Sequence, residues 1–123
     1  MNNNPKTVSF EEVQAFVEND LKVGELYKVV SRKWSDWDFL PCLLDLNKLI
    51  YIEKKDINVV IFCLDKMPLI PVGSPAPARR RSCPPFPTSA TQEQRDLWCK
   101  NMFIKVFFQD KICLVHAGWL EKL

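Results

Sequence analysis

From Met102 to Leu123 the chain carries its apolar and polar positions in the manner of a β-hairpin. Ile104, Val106 and Phe108 share one face by period two, the polar Gln109-Asp110-Lys111 interrupts them, and Ile112 and Leu114 continue the apolar series. A lone hairpin is marginal in water, so this pattern demands further strands to pack against. Leu26, Lys28 and Val30 alternate with Tyr27 and Val29 after Gly24, which predicts a first strand. Lys48–Glu53 predicts another, preceded by a loop or short strand over Cys42–Asp45 and followed by a turn at Lys54-Lys55-Asp56. Val59–Leu64 is the most hydrophobic run. Its lack of alternation predicts a strand buried on both faces, or at least central in the sheet.

Near the N-terminus the period changes. Phe10, Val13, Phe16 and Val17 recur at helical spacing, Leu21 extends the stripe, and Glu11, Gln14 and Glu18 take the other side. Ser9 and Glu12 have the spacing of a capping box, and Val8 and Val13 that of a hydrophobic staple. A helix over Phe10–Asn19 follows, docked by its aromatic face. Thr91–Lys100 predicts a second short helix. Arg32–Phe39 mixes aromatic and charged residues without a period and reads as a loop, in which Trp37 covers the end of the domain and Trp34 is open to either a packing or a binding role.

Composition adds a boundary and removes several functions. A length of 123 residues with 47% hydrophobic side chains fits one globular domain, 1–123. Nine prolines stand against three glycines, and the prolines cluster between Pro68 and Pro87, so 68–94 reads as an extended Pro/Arg-rich insertion. A net charge of +2 argues against a general nucleic-acid or membrane-surface protein. No run approaches the length of a transmembrane span, and Met-Asn-Asn-Asn-Pro-Lys lacks the apolar core of a signal peptide. Five cysteines in no disulfide-like spacing then imply free thiols in a reducing compartment.

Candidate chemistry is sparse. Cys113 and His116 have a Cys-x-x-His spacing, but residues three apart on a strand point to opposite faces, so they are weak metal ligands and the expectation is no metal and no cofactor. His116 is the single histidine and lacks the neighbours of a nucleophile–base pair, and three glycines cannot build a phosphate loop. The expectation is a protein without enzyme activity. Binding is the stronger class. Arg79, Arg80 and Arg81, with Phe86 in the same segment, put compact positive charge on a proline-rich tether. Arg32, Lys33 and Trp34 combine cations with an aromatic ring, as at surfaces where bases stack. These residues suit another protein as partner, since Trp and Arg dominate interface energetics. The alternative is a nucleic acid held through salt-sensitive phosphate contacts.

The succession of a helix, Gly24-Glu-Leu-Tyr-Lys-Val, then Val59-Val-Ile-Phe-Cys-Leu, then Phe103-Ile-Lys-Val-Phe-Phe-Gln-Asp-Lys-Ile and a closing Trp119-Leu-Glu resembles the small SH3-like barrels of tailed-phage proteins. The resemblance covers the helix through Leu64 and 102–123, and leaves out the insertion. It implies a mainly β, α+β fold: a small SH3-like barrel or strongly bent antiparallel sheet with an N-terminal helix. It also implies a viral source, with the protein in the host cytoplasm or the virion, and brings no catalytic residues. The combined expectation is a protein–protein interaction or structural module, a virion component or accessory factor, that reaches a partner with its proline-rich arm.

Overall fold

The computed structural model of the chain describes residues 7–34, 37–46, 48–66, 82–84 and 91–123, with the backbone alone for Trp34. Its strands are β1 (Leu26–Val29), β2 (Arg32–Trp34), β3 (Trp37–Phe39), β4 (Cys42–Asp45), β5 (Lys48–Tyr51), β6 (Val60–Lys66), β7 (Phe103–Phe108), β8 (Lys111–His116) and β9 (Leu120–Lys122). Seven of them form one antiparallel sheet in the order β5-β4-β8-β7-β6-β1-β9, and β2 and β3 pair as a separate hairpin. The sheet is open, with β5 and β9 at its two edges, so the barrel form of the expectation is corrected. The mainly β, antiparallel character stands.

The core explains the shape. Tyr27 and Val29 of β1, Leu43 of β4, Ile61 and Cys63 of β6, Ile104, Val106 and Phe108 of β7, Cys113 and Val115 of β8 and Leu120 of β9 all belong to one buried cluster. Strands near opposite edges thus share a core, so the sheet curves around it. The β7–β8 hairpin runs through the middle of the order. Its two-residue turn, Gln109–Asp110, puts both residues at positive φ, 49° and 62°. That turn sets Phe108 opposite Lys111, Val106 opposite Cys113 and Ile104 opposite Val115. The inward residues of β8 are therefore Cys113 and Val115, and the expected continuation of the inner face by Ile112 and Leu114 is wrong by one position. Strand β6 is central, between β1 and β7, but only one of its faces is covered: Ile61 and Cys63 are buried, while Val60 and Phe62 are 45% and 38% exposed.

Helix α1 (Phe10–Ala15) begins at the expected capping box. The Glu12 amide donates to Ser9 Oγ at 3.1 Å, and the Ser9 amide donates to Glu12 Oε1 at 3.3 Å. Past Ala15 the helix widens into a π turn over Phe16–Asp20, closed by the Leu21 amide donating to the Phe16 carbonyl at 2.8 Å. The widened turn ends against Tyr27, whose hydroxyl donates to the Asp20 carbonyl and accepts from the Lys22 amide, at 2.8 and 2.6 Å. Burial pushes that phenol above its ordinary pKa. Helix α2 (Gln92–Lys100) has its own capping box between Thr91 and Gln94. The two helices meet in a second buried cluster made by Phe10, Val13, Trp98, Met102 and Ala117. No helix among the described residues is long and apolar enough to cross a membrane.

Two further expectations are revised. Arg32–Phe39 is not a loop, since its described residues form the β2–β3 hairpin. Trp37 does not cover an end of the domain, since it is 70% exposed. Within the proline-rich segment, Ser82 and Pro84 are buried. The Trp119 indole N–H donates to the Ser82 carbonyl at 2.7 Å, and the Trp98 indole N–H donates to the Pro84 carbonyl at 3.0 Å. Gly118 permits this docking, because a Cβ there would stand 2.8 Å from Pro84 Cγ.

Candidate functional site

The outer face of the sheet is where side chains are left for something else to meet. Alternation along each strand sends Phe103, Phe107, Ile112, Leu114 and His116 away from the main core. Cross-strand register then sorts them into rows. Phe103 stands opposite His116. The Trp98 ring lies 4.5 Å from His116 by ring centroids, and Phe103 meets the same imidazole edge-on at 5.2 Å. This end of the face is closed by α2. At the other end Leu26 faces Phe62, Phe62 faces Phe107, and Phe107 faces Ile112. The four are 50%, 38%, 44% and 59% exposed. With strands about 4.8 Å apart, the row is about 14 Å wide. Val60, opposite Lys28, widens it on one side. On the other side Lys105, which faces both Asp65 and Leu114, begins the half-buried zone.

His116 at the closed end is inert. Its Nε2–H donates to the Trp98 carbonyl at 2.9 Å, and its Nδ1 accepts from the Gly118 amide at 2.8 Å, which fixes one neutral tautomer. Full burial pushes its pKa down to about 3, against a small upward pull from the Trp98 carbonyl. Cys113 lies in the main core on the opposite face, so the two do not converge on a metal. Among the described residues, which include all five cysteines, no disulfide forms and no group of three His, Cys, Asp or Glu side chains is placed to hold an ion. Burial raises the thiols of Cys42, Cys63 and Cys113, keeping them protonated and poorly nucleophilic.

Of the binding residues expected from the sequence, Arg79, Arg80, Arg81 and Phe86 lie outside the described residues. Lys33 is exposed on β2, next to the backbone of Trp34, and Trp37 and Phe39 show their rings on β3. Arg32 is a structural group instead of a phosphate contact. Its side chain is 7% exposed; Nε donates to the Gly118 carbonyl at 2.6 Å and Nη2 to the Leu120 carbonyl at 3.2 Å. Burial pulls its pKa down, and the Glu121 and Glu12 carboxylates push it back up.

The exposed row of Leu26, Phe62, Phe107 and Ile112 escaped the sequence reading. The signal for it was present: a two-residue turn at Gln109–Asp110 forces Phe107 and Ile112 onto the face opposite Phe108. Comparison with known protein families, curated proteins and solved structures finds no match for this chain.

Proposed function

We propose that the chain is a non-enzymatic protein–protein interaction module whose contact surface is centred on the bare end of the outer face. The carrying observation is the apolar row Leu26–Phe62–Phe107–Ile112, continuous across four hydrogen-bonded strands. At the exposures given, these side chains leave roughly 350 Å² of apolar surface, in the range where the largest patch of a monomer is commonly functional. A standard interface needs about 800 Å² per partner, so the row supplies the apolar centre and the surrounding lysines and carboxylates the rim. The occupant is a folded partner protein with an apolar patch of matching width. The proline-rich segment 68–94, tied down at Ser82 and Pro84, extends the contact as an arm on the same partner. A phage particle or a phage factor acting on a host protein is the setting that the strand motifs imply.

The test is site-specific photocrosslinking in the producing cell, with p-benzoylphenylalanine at Phe107 or Ile112 and, as control, at Lys55, whose side chain is 77% exposed in the turn between β5 and β6. One discrete adduct from both row positions and none from Lys55 is expected. Equal adducts from all three positions, or none from the row, would reject the reading.

A nucleic-acid-binding role retains one observation, the exposed Lys33 beside the bare rings of Trp37 and Phe39 on the β2–β3 hairpin. Titration with single- and double-stranded oligonucleotides at two salt concentrations separates it from protein binding, because phosphate contacts weaken steeply with salt.

A further inference from the structure

The strand registers carry the exposed row further than its four central members. Continued one step past Tyr27–Lys122, the β1–β9 ladder sets Leu123 opposite Leu26. Continued two steps past Leu44–Leu114, the β4–β8 ladder sets Leu46 opposite Ile112. These two are the most exposed of the line, at 70% and 87%. With them, six of the twelve large apolar side chains exposed among the described residues stand in one line, from the β9 edge to the turn after β4. Leu46 holds a positive φ of 57°, which leucine rarely adopts, and Asp45 beside it is bridged to Lys111 at 3.5 Å, tying this turn to β8. With Val60 alongside, the line leaves roughly 700 Å² of apolar surface, close to the share of about 800 Å² that each partner buries in a standard interface.

The order of side chains along the line selects its occupant. From β9 it runs Leu123, Leu26, Phe62, Phe107, Ile112, Leu46: two aliphatics, two aromatics, two aliphatics, the same from either end. A two-fold pair needs a patch of this kind, self-complementary about its midpoint. Let a second copy lie face to face on the first, turned about an axis that runs along the strands between β6 and β7. Phe62 then meets the second copy's Phe107, Leu26 its Ile112 and Leu123 its Leu46. The charges beside the line agree. Asp65 and Lys105 face each other across β6 and β7, and the same rotation sets each over its opposite charge in the second copy. On the other side Lys28, opposite Val60, comes over the second copy's Asp110. Turning about the line itself would instead lay Asp65 on Val60, so charge selects the first axis. The strands of both copies then run in one direction about 10 Å apart, the aligned packing of a sandwich and within reach of a Lys–Asp pair.

We propose that the outer face is a two-fold dimer interface, in which a second copy of this chain covers the line with Phe62 on Phe107 at the axis. This rests on the reading of the outer face as a contact surface and names its occupant. The four central rings supply the apolar centre, Leu46 and Leu123 close its ends, and the Asp65–Lys105 pairs at the rim fix the orientation more than the affinity.

The experiment is sedimentation equilibrium of the full chain from about 1 μM to about 1 mM, the range in which a weak to moderate dimer forms. The mass is expected to rise from one chain to two and no further. Phe107→Lys should hold the chain at one copy throughout, and Leu46→Lys, at the tip of an exposed turn, should weaken the dimer at least tenfold. Asp65→Lys should weaken it about tenfold by setting like charges across the axis, and adding Lys105→Asp should restore it. If Phe107→Lys disturbs the fold, Leu46→Lys and the charge exchange decide. A mass of one chain at every concentration overturns the proposal. So does a dimer that Phe107→Lys and Leu46→Lys leave intact, or one that the charge exchange fails to restore. The contact-surface reading is scored separately: crosslinks from Phe107 and Ile112 to a different protein keep it and reject the second copy, and no crosslink from either rejects both.

Discussion

At one end of the β7–β8 ribbon, Phe103 and His116 lie under Trp98. At the other end of the same face, Phe107 and Ile112 meet water. The strands, the face and the residue chemistry are alike, and the cover differs. Helix α2 arrives with its indole, its N–H anchored on the Pro84 carbonyl, and sets it against His116, which Phe103 meets edge-on. No described element arrives at the other end. A β-branched or aromatic residue on an outer face is thus either the floor of a local core or the ceiling of the protein, and register alone does not say which.

The contrast can be broken most directly at Trp98. Trp98→Ala strips the ring from both Phe10 and His116, and should cost about 3–5 kcal/mol in urea unfolding. Phe107→Ala on the bare end should cost less than about 1 kcal/mol in the same assay. Equal losses would mean that the bare end is covered after all.

The closed end should also give the protein a pH dependence that the bare end cannot. His116 resists protonation until about pH 3 when folded, whereas the unfolded chain takes the proton near 6.5. A base with a depressed folded pKa makes the unfolded state bind more protons as pH falls, so its contribution is complete above about 6.5 and is lost on the way down to about 3. From pH 7.5 to 5 the loss should be about 2 kcal/mol. His116→Gln should remove that slope, whatever it does to stability at neutral pH.

Gly118→Ala tests the fit of the proline-rich segment onto the closed end. The added methyl meets Pro84 Cγ and His116 Nδ1 at 2.8 and 3.0 Å, and should cost about 1–3 kcal/mol by overpacking. The smallest stability effect belongs to the pair Phe107→Lys and Ile112→Lys, with a thermal midpoint within a few degrees of the parent. Its signature is shorter retention on a hydrophobic-interaction column. Unchanged retention would show that the row does not dominate the protein's apolar surface.

Much of the fold was written in local pattern. The Ser9–Glu12 box starts α1 where its spacing predicts, because capping is a contact between residues three apart, and the short helix expected over Thr91–Lys100 forms as α2. The β7–β8 hairpin was legible from period two, but its inner face was assigned one residue out on β8, because the turn length decides which alternate residues face the core. Arg32–Phe39 hid a hairpin. Its β3 half is exposed throughout and its Arg32 is buried, so apolar-in, polar-out alternation has nothing to register there. The candidate site was harder still. The exposed row is made of four residues from four strands and exists only once the sheet order is known.

The turn at Gln109–Asp110 has a kinetic consequence. Both residues hold the left-handed backbone without a glycine, at a cost of about 1 kcal/mol each. A ribbon so loaded at its tip is not self-starting: it closes when β6 and β4 flank it on either side, and those partners come from far upstream. Refolding is therefore paced by the return of distant segments, and grafting Asn-Gly at the tip would quicken collapse of the central ribbon more than it would slow its opening.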